Sequence, residues 1–208
     1  MTVWIDKFYY HGWFMVSTFM FIWMAWSSNR IVRQRFYLTF LFSWTLGGTL
    51  LAVLFASAGP CYLGELYGGQ FGYERLFLYL DEVHRGVELY ALNGQAMLWE
   101  NLKEESLLAG GGISAMPSMH VSMMTLCGLA AWQVNRLLGV VTALFAGIIL
   151  VGSVHLGWHY AVDGYVSILL TWLLWRGAGA LLQWRLSRSP SNASGTIDAA
   201  GRVTEKAD

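Results

Sequence analysis

The stretch LLGVVTALFAGIILVGSVHLG, residues 137–157, decides the fold class. It holds no Asp, Glu, Lys or Arg, and as a helix rising about 1.5 Å per residue it spans the roughly 30 Å hydrocarbon core of a bilayer. Four more apolar stretches lie around it, at Phe8–Ser27, Phe36–Ser57, Ser118–Trp132 and Tyr160–Leu182. The one that opens at Ser118 is short and rich in Met, so it is expected to tilt or to start deep in the protein. Strand alternation is absent, and lipid cannot satisfy an open backbone, so helices are the expected form. The chain therefore reads as an all-α, polytopic transmembrane helix bundle with five spans. Residues 1–186 form one domain, and the polar, small-residue stretch 187–208 reads as a disordered cytoplasmic tail.

Composition supports this and excludes other classes. Of 208 residues, 56% are hydrophobic and only 12% charged, where a soluble domain carries about 25%. Mean hydropathy is +0.46, and there are 11 Trp, 11 Phe and 10 Tyr. A soluble core of this size does not hide so much apolar surface. The 13 basic and 13 acidic residues cancel, which argues against a nucleic-acid partner. Two cysteines make neither a disulfide framework nor a four-thiolate zinc site.

Basic residues give an orientation. Arg30, Arg33, Arg35, Arg136, Arg176, Arg185, Arg188, Arg202 and Lys206 fall on one side of the threading, leaving Lys7, Arg75, Arg85 and Lys103 on the other. The expectation is an N-terminus outside, a C-terminus in the cytoplasm and an extracytoplasmic 58–116 connection. Within that connection, 71–108 mixes Leu, Tyr and Trp with acidic residues at helical spacing, which predicts one or two amphipathic helices on the outer membrane face. The first span lacks a basic leader and runs into an Arg cluster, so it reads as a retained helix.

Two clusters carry the chemistry, because polar and ionisable groups near a bilayer are costly and mark function. The first is Gly110-Gly111-Gly112-Ile113-Ser114-Ala115-Met116-Pro117-Ser118-Met119-His120. Pro117 suits the first turn of a helix, whose free N–H groups make an anion site. Ser118 adds a hydroxyl donor and His120 a proton carrier. The alternative is a capped helix start with an interfacial histidine. The second cluster is His155, His159 and Asp163 at intervals of four. If the segment is helical, the three share one face, and the carboxylate can accept a ring N–H and leave the other nitrogen free as nucleophile or base. A His–Asp pair that only ties spans together, or a metal site, remain the alternatives. His120 opens one span and His159 closes the next, so two crossings bring Ser118, His120, His159 and Asp163 to one membrane depth.

The pair Pro117-Ser118-Met119-His120 and His159-Tyr160-Ala161-Val162-Asp163 resembles the type-2 phosphatidic acid phosphatase superfamily, with its Pro-Ser-x-His and His-x-x-x-Asp segments. Gly111–His120, His155–Tyr165 and Ser57-Ala58-Gly59-Pro60 look closest to the branch of inositolphosphoryl-ceramide synthases. The resemblance covers roughly residues 55–170. It implies that His159 attacks phosphorus to form a phosphohistidine, that Asp163 orients it, and that His120 protonates the leaving alcohol and then activates water or an acceptor alcohol. Ser118 and the Met119 amide would hold phosphate oxygens, and the mechanism needs no metal or other cofactor.

The chain also departs from the pattern. The family's Lys-x6-Arg-Pro segment has no counterpart, and Ser153 stands six residues before His159 where the family usually carries Arg. Arg75, Arg85 and Lys103 are the candidate replacements on the outer side, and His155 is a secondary site candidate. The family core commonly has six helices, against five here. The leading expectation is an integral membrane lipid phosphatase or phosphotransferase of a bacterial inner membrane. Its partners would be a lipid phosphate, the bilayer and an acceptor alcohol such as inositol. A metal- or haem-binding membrane protein built on His120, His155, His159 and Asp163, and a non-catalytic scaffold of the same fold, are the competing readings.

Overall fold

The computed structural model describes residues 1–103 and 114–188. Gly110–Ile113 of the first cluster, the stretch 104–108 of the expected amphipathic region and the tail from 189 onward lie outside the described residues.

Helix α1 is a continuous run over 2–26, α-helical at Thr2–Lys7 and Trp13–Trp26 with a π-helical turn at Phe8–Gly12 between them. Its inner stripe reads Thr2, Asp6, Tyr9, Ser17, Met20 and Met24, all buried at helical spacing. Helix α2 (Arg30–Leu54) starts at Asn29, whose side chain accepts from the Val32 N–H at 3.1 Å, and turns π-helical over Ser43–Leu51. Three helices of the connection follow: α3 (Leu63–Tyr67), α4 (Glu74–Gly86) and α5 (Tyr90–Lys103). The bundle resumes with α6 (Met119–Val134), α7 (Arg136–His155) and α8 (Ala161–Ser187). Asn135 sets the α6–α7 corner by accepting from Leu137 and Leu138 N–H at 2.8 and 3.2 Å.

Short α6 is the centre of the bundle. It packs against α1, α2, α7 and α8, and Val121, Met124, Leu126, Cys127, Ala130 and Ala131 are buried on it. Around it the outer faces are apolar and exposed: Phe14, Phe19 and Ile22 on α1, Val141, Leu144 and Val151 on α7, Leu169, Trp172 and Leu173 on α8. Exposed apolar surface of this extent calls for lipid around the bundle.

Among the described residues the protein is all-helical, and three helices are long and apolar enough to cross a membrane: Arg30–Leu54, Arg136–His155 and Ala161–Ser187. The other two expected spans do form helices but fall short of that standard. Helix α6 has 16 residues, about 24 Å at 1.5 Å each, and its protein-facing surroundings relieve it of spanning lipid alone. Helix α1 dilutes its apolar content with Asp6, Lys7, His11, Tyr9 and Tyr10.

The connection helices sit over one end of the bundle. Leu80 and Leu89 are fully buried, and Leu76, Phe77 and Val83 pack against the same core. Asp6, itself buried, clamps them to α1: its two carboxylate oxygens accept from the Tyr90 and Ala91 N–H groups at 2.8 and 2.9 Å, at the start of α5. Most basic residues gather at the far end. Arg33 donates to Ser27 O at 2.8 Å, and Arg35 donates to Trp175 O at 2.8 Å while lying 4.3 Å over the Trp175 ring.

Candidate active site

Residues 57–61 strap the two motifs together. On one side, Ala58 bridges Ser114 and the Ala115 N–H donates to Ser57 O at 2.6 Å. On the other, the Cys61 N–H donates to Gly157 O at 3.1 Å. Gly59 lies between them, so close to Trp158 that an added Cβ would clash with its carbonyl oxygen. Only glycine fits without moving backbone. Gly59→Val is therefore expected to destabilise the protein by about 1–3 kcal/mol and to displace Trp158 and His159. Thermal unfolding in detergent checks this, and an unchanged melting temperature would show that the strap yields freely.

The first motif enters α6 through Pro117, which lies against Gly47 on the π-helical part of α2. Ser118 is the residue before α6, in extended conformation, and its backbone carbonyl accepts from the Ser122 N–H at 3.0 Å. Its side chain makes no capping bond. The hydroxyl is fully buried and has no hydrogen-bond partner among the described residues.

The second motif differs from the expected helix. Helix α7 stops at His155, and Gly157 takes a left-handed φ of 75°. The Trp158 N–H returns to Ser153 O at 3.0 Å and the Gly157 N–H to Val154 O at 3.0 Å, the paired bonds of a Schellman ending. The His159 N–H also reaches Ser153 O, at 3.1 Å. The chain then restarts as α8 at Ala161, so His155, His159 and Asp163 do not share a helix face. His155 turns away: its Nε2 lies 2.9 Å from the Thr2 hydroxyl, which is 2.8 Å from the Tyr79 hydroxyl. These contacts make His155, the secondary site candidate, a tie between α1, α4 and α7. Among the described residues no three His, Cys, Asp or Glu side chains gather to hold a metal ion, so the metal reading has no ligand set there.

His159 and the first motif do converge. His159 Nδ1 is 2.6 Å from Ala115 O, across 44 positions of sequence. A carbonyl oxygen only accepts, so Nδ1 carries the proton and Nε2 keeps its lone pair. Asp163 Oδ2 stands 3.7 Å from the same Nδ1, too far for a hydrogen bond but close for a charge. That oxygen also accepts from the Tyr160 N–H at 2.8 Å, which fixes the carboxylate at the start of α8. The four-residue spacing predicts that Asp163 can accept the ring N–H; in the structure the Ala115 carbonyl accepts it, with Asp163 behind. Buried Ser153 has its hydroxyl on Leu150 O at 2.8 Å and offers nothing in place of the usual arginine.

His120 is the second residue of α6 and lies against two rings of α1. Its imidazole stacks on Tyr9 with centroids 4.5 Å apart at 19°, and Trp13 flanks it at 4.4 Å and 44°. The Trp13 indole N–H donates to His120 O at 3.2 Å. These two residues were invisible to motif reading. Their spacing of four on the Asp6 stripe was the available signal.

Arg75 and Arg85 are exposed on α4, and Lys103 pairs with Glu100 at 2.9 Å. Cys61 sits in the strap, where burial pushes its thiol up to about 12, so it stays protonated and inert at neutral pH.

The arrangement offers a fixed imidazole with one free nitrogen, a carboxylate behind it, a second imidazole and an unsatisfied hydroxyl at a helix start. A family model described as PAP2 superfamily matches residues 1–176. No curated protein and no solved structure matches the chain.

Proposed function

The chain belongs to the PAP2 superfamily, and from that premise we propose that it is a membrane enzyme that transfers a phosphoryl group from a lipid phosphate or phosphodiester through a phosphohistidine at His159. Family membership and the apolar helices already make it a membrane protein of phosphatase type. The observation that carries the finer reading is the bond from His159 Nδ1 to Ala115 O, with Asp163 at 3.7 Å. It leaves Nε2 as the nucleophile beside the first motif.

In this reading Nε2 attacks phosphorus as the bond to the leaving oxygen breaks. His120 delivers its proton to that oxygen, so the products are an alcohol and phospho-His159. The positive charge on the phosphorylated imidazole faces Asp163. His120, now neutral, takes a proton from water or from an acceptor hydroxyl, whose oxygen displaces Nε2 from phosphorus and restores His159. The unpartnered Ser118 hydroxyl and the Met119 N–H at the start of α6 hold the phosphoryl oxygens. We place this site at the outer membrane face, with the basic ends of α2, α7 and α8 in the cytoplasm and α4 and α5 lying over the membrane surface. Hydrolysis and transfer share the first half of this reaction, and water or an alcohol such as inositol then occupies the second position.

The test is product analysis on purified protein in detergent with EDTA present. Phosphatidic acid alone, and phosphatidylinositol with an acceptor lipid alcohol, are the two substrate sets. Free phosphate from the first set identifies a hydrolase, and a new phosphodiester from the second a transferase. Neither product, from protein shown to be folded, sinks the reading.

A further inference from the structure

The proposed general acid is held by a helix that carries neither motif. A histidine side chain has a broad, roughly two-fold χ2, so an unsupported imidazole points its two nitrogens in several directions. Proton delivery needs one of them. At His120 the freedom is removed by two rings, Tyr9 stacked on the imidazole at 4.5 Å and Trp13 tilted against it at 4.4 Å. The two are four residues apart, so they rise from one stripe of α1. Trp13 is itself tied to the backbone it flanks, through its indole bond to His120 O. The helix departs from α geometry at this point: Tyr9 lies in the π-helical turn Phe8–Gly12, a device that often marks functional positions.

A second, independent feature concerns the Tyr9 hydroxyl. It is buried and has no hydrogen-bond partner among the described residues. A buried hydroxyl left unpaired costs free energy that a bound acceptor offsets. Phosphoryl oxygens are such acceptors, and the charges available to them are few, since Arg75 and Arg85 are exposed and Lys103 is paired with Glu100.

We propose that Tyr9 and Trp13 of the first helix belong to the active site: their rings position His120 for proton delivery, and the Tyr9 hydroxyl donates to a phosphoryl oxygen of the substrate. This rests on the phosphoryl-transfer reading above. Trp13 is a positioning residue, and Tyr9 both positions and binds.

Two substrates separate these roles from a merely structural one. The leaving group of phosphatidic acid is a diacylglycerol alkoxide that needs a proton, whereas that of a long-chain nitrophenyl phosphate is a nitrophenolate that does not. Trp13→Leu is expected to slow phosphatidic acid turnover by about 10²-fold and to slow the nitrophenyl ester far less. Tyr9→Phe keeps the ring, so the ratio between the substrates stays at the wild-type value. Its KM rises by roughly tenfold for both, with kcat little changed, because a donor to the phosphoryl group is gone. Equal losses on both substrates in Trp13→Leu overturn the positioning role, and an unchanged KM in Tyr9→Phe overturns the binding role.

Histidine ring NMR of the wild type in micelles gives a readout free of turnover. The His120 ring protons are expected upfield beside two aromatic rings and should move downfield in Trp13→Leu. Their absence upfield in the wild type sinks the clamp alone, with turnover intact. Loss of wild-type turnover on both substrates sinks the phosphoryl-transfer reading, and the hydroxyl's role with it.

Discussion

His159→Asn abolishes product formation, lowering the rate on a lipid phosphate by about 10³-fold or more. The expectation comes from the two ends of one ring. Nδ1 is engaged with Ala115 O at 2.6 Å, which leaves Nε2 to attack phosphorus. Asparagine carries its amide nitrogen as many bonds from the backbone as Nδ1 and can still donate an N–H to that carbonyl, so the contact between the two motifs survives while the nucleophile disappears. Thermal unfolding in detergent should therefore change little. Acid-quenched protein after brief exposure to labelled substrate should carry acid-labile phosphate in the wild type and none in the variant. A variant that keeps more than about a tenth of wild-type turnover would falsify the assignment of His159 as nucleophile.

Asp163→Asn is the second large effect, expected to lower turnover by about 10²- to 10³-fold. Asp163 performs two tasks through one oxygen. It accepts from the Tyr160 N–H at 2.8 Å, and it stands 3.7 Å from His159 Nδ1. An asparagine oxygen still accepts the backbone bond, so the start of α8 is retained. What is lost is the negative charge that faces the ring as it becomes positive on attack. Unit charges about 4 Å apart attract by roughly 4 kcal/mol at an effective dielectric of 20, enough for the expected fall. The variant should fold and bind substrate with a KM near that of the wild type, placing the loss in kcat. Turnover within tenfold of the wild type would show that Asp163 serves only as a cap for α8.

The two predictions differ in what the sequence disclosed. His159 and Asp163 were both legible because four-residue spacing beside a transmembrane stretch is rare and costly. Their relation was read wrongly in detail. The spacing of His155, His159 and Asp163 fits a helix perfectly well, and only Gly157 at φ 75° breaks it. A glycine between apolar residues is common in membrane helices, so its left-handed turn leaves no distinctive trace in the pattern. The consequence is large. The break sends His155 to Thr2 and Tyr79, and swings His159 onto the first motif.

The span count shows the same limit. Composition and run length located all the bundle helices, but only three meet the length and hydropathy of a membrane crossing among the described residues. The exceptions are α6, which the other helices enclose, and α1, whose inner stripe carries polar groups that serve the site. Hydropathy measures what faces lipid, and both helices are shaped by what they face inside.

The amino-acid sequence by itself determined the helix bundle, the two chemistry-bearing segments and their common depth. Each follows from local rules: apolar run length against bilayer thickness, and an even number of crossings returning the chain to one side. Only the tertiary structure decided the acceptor of the His159 ring N–H and the rings around His120. The first is a backbone carbonyl 44 positions away, and every residue has one, so no side-chain pattern announces it. The rings come from a helix whose aromatic residues, read singly, are ordinary membrane anchors until packing sets two of them against one imidazole.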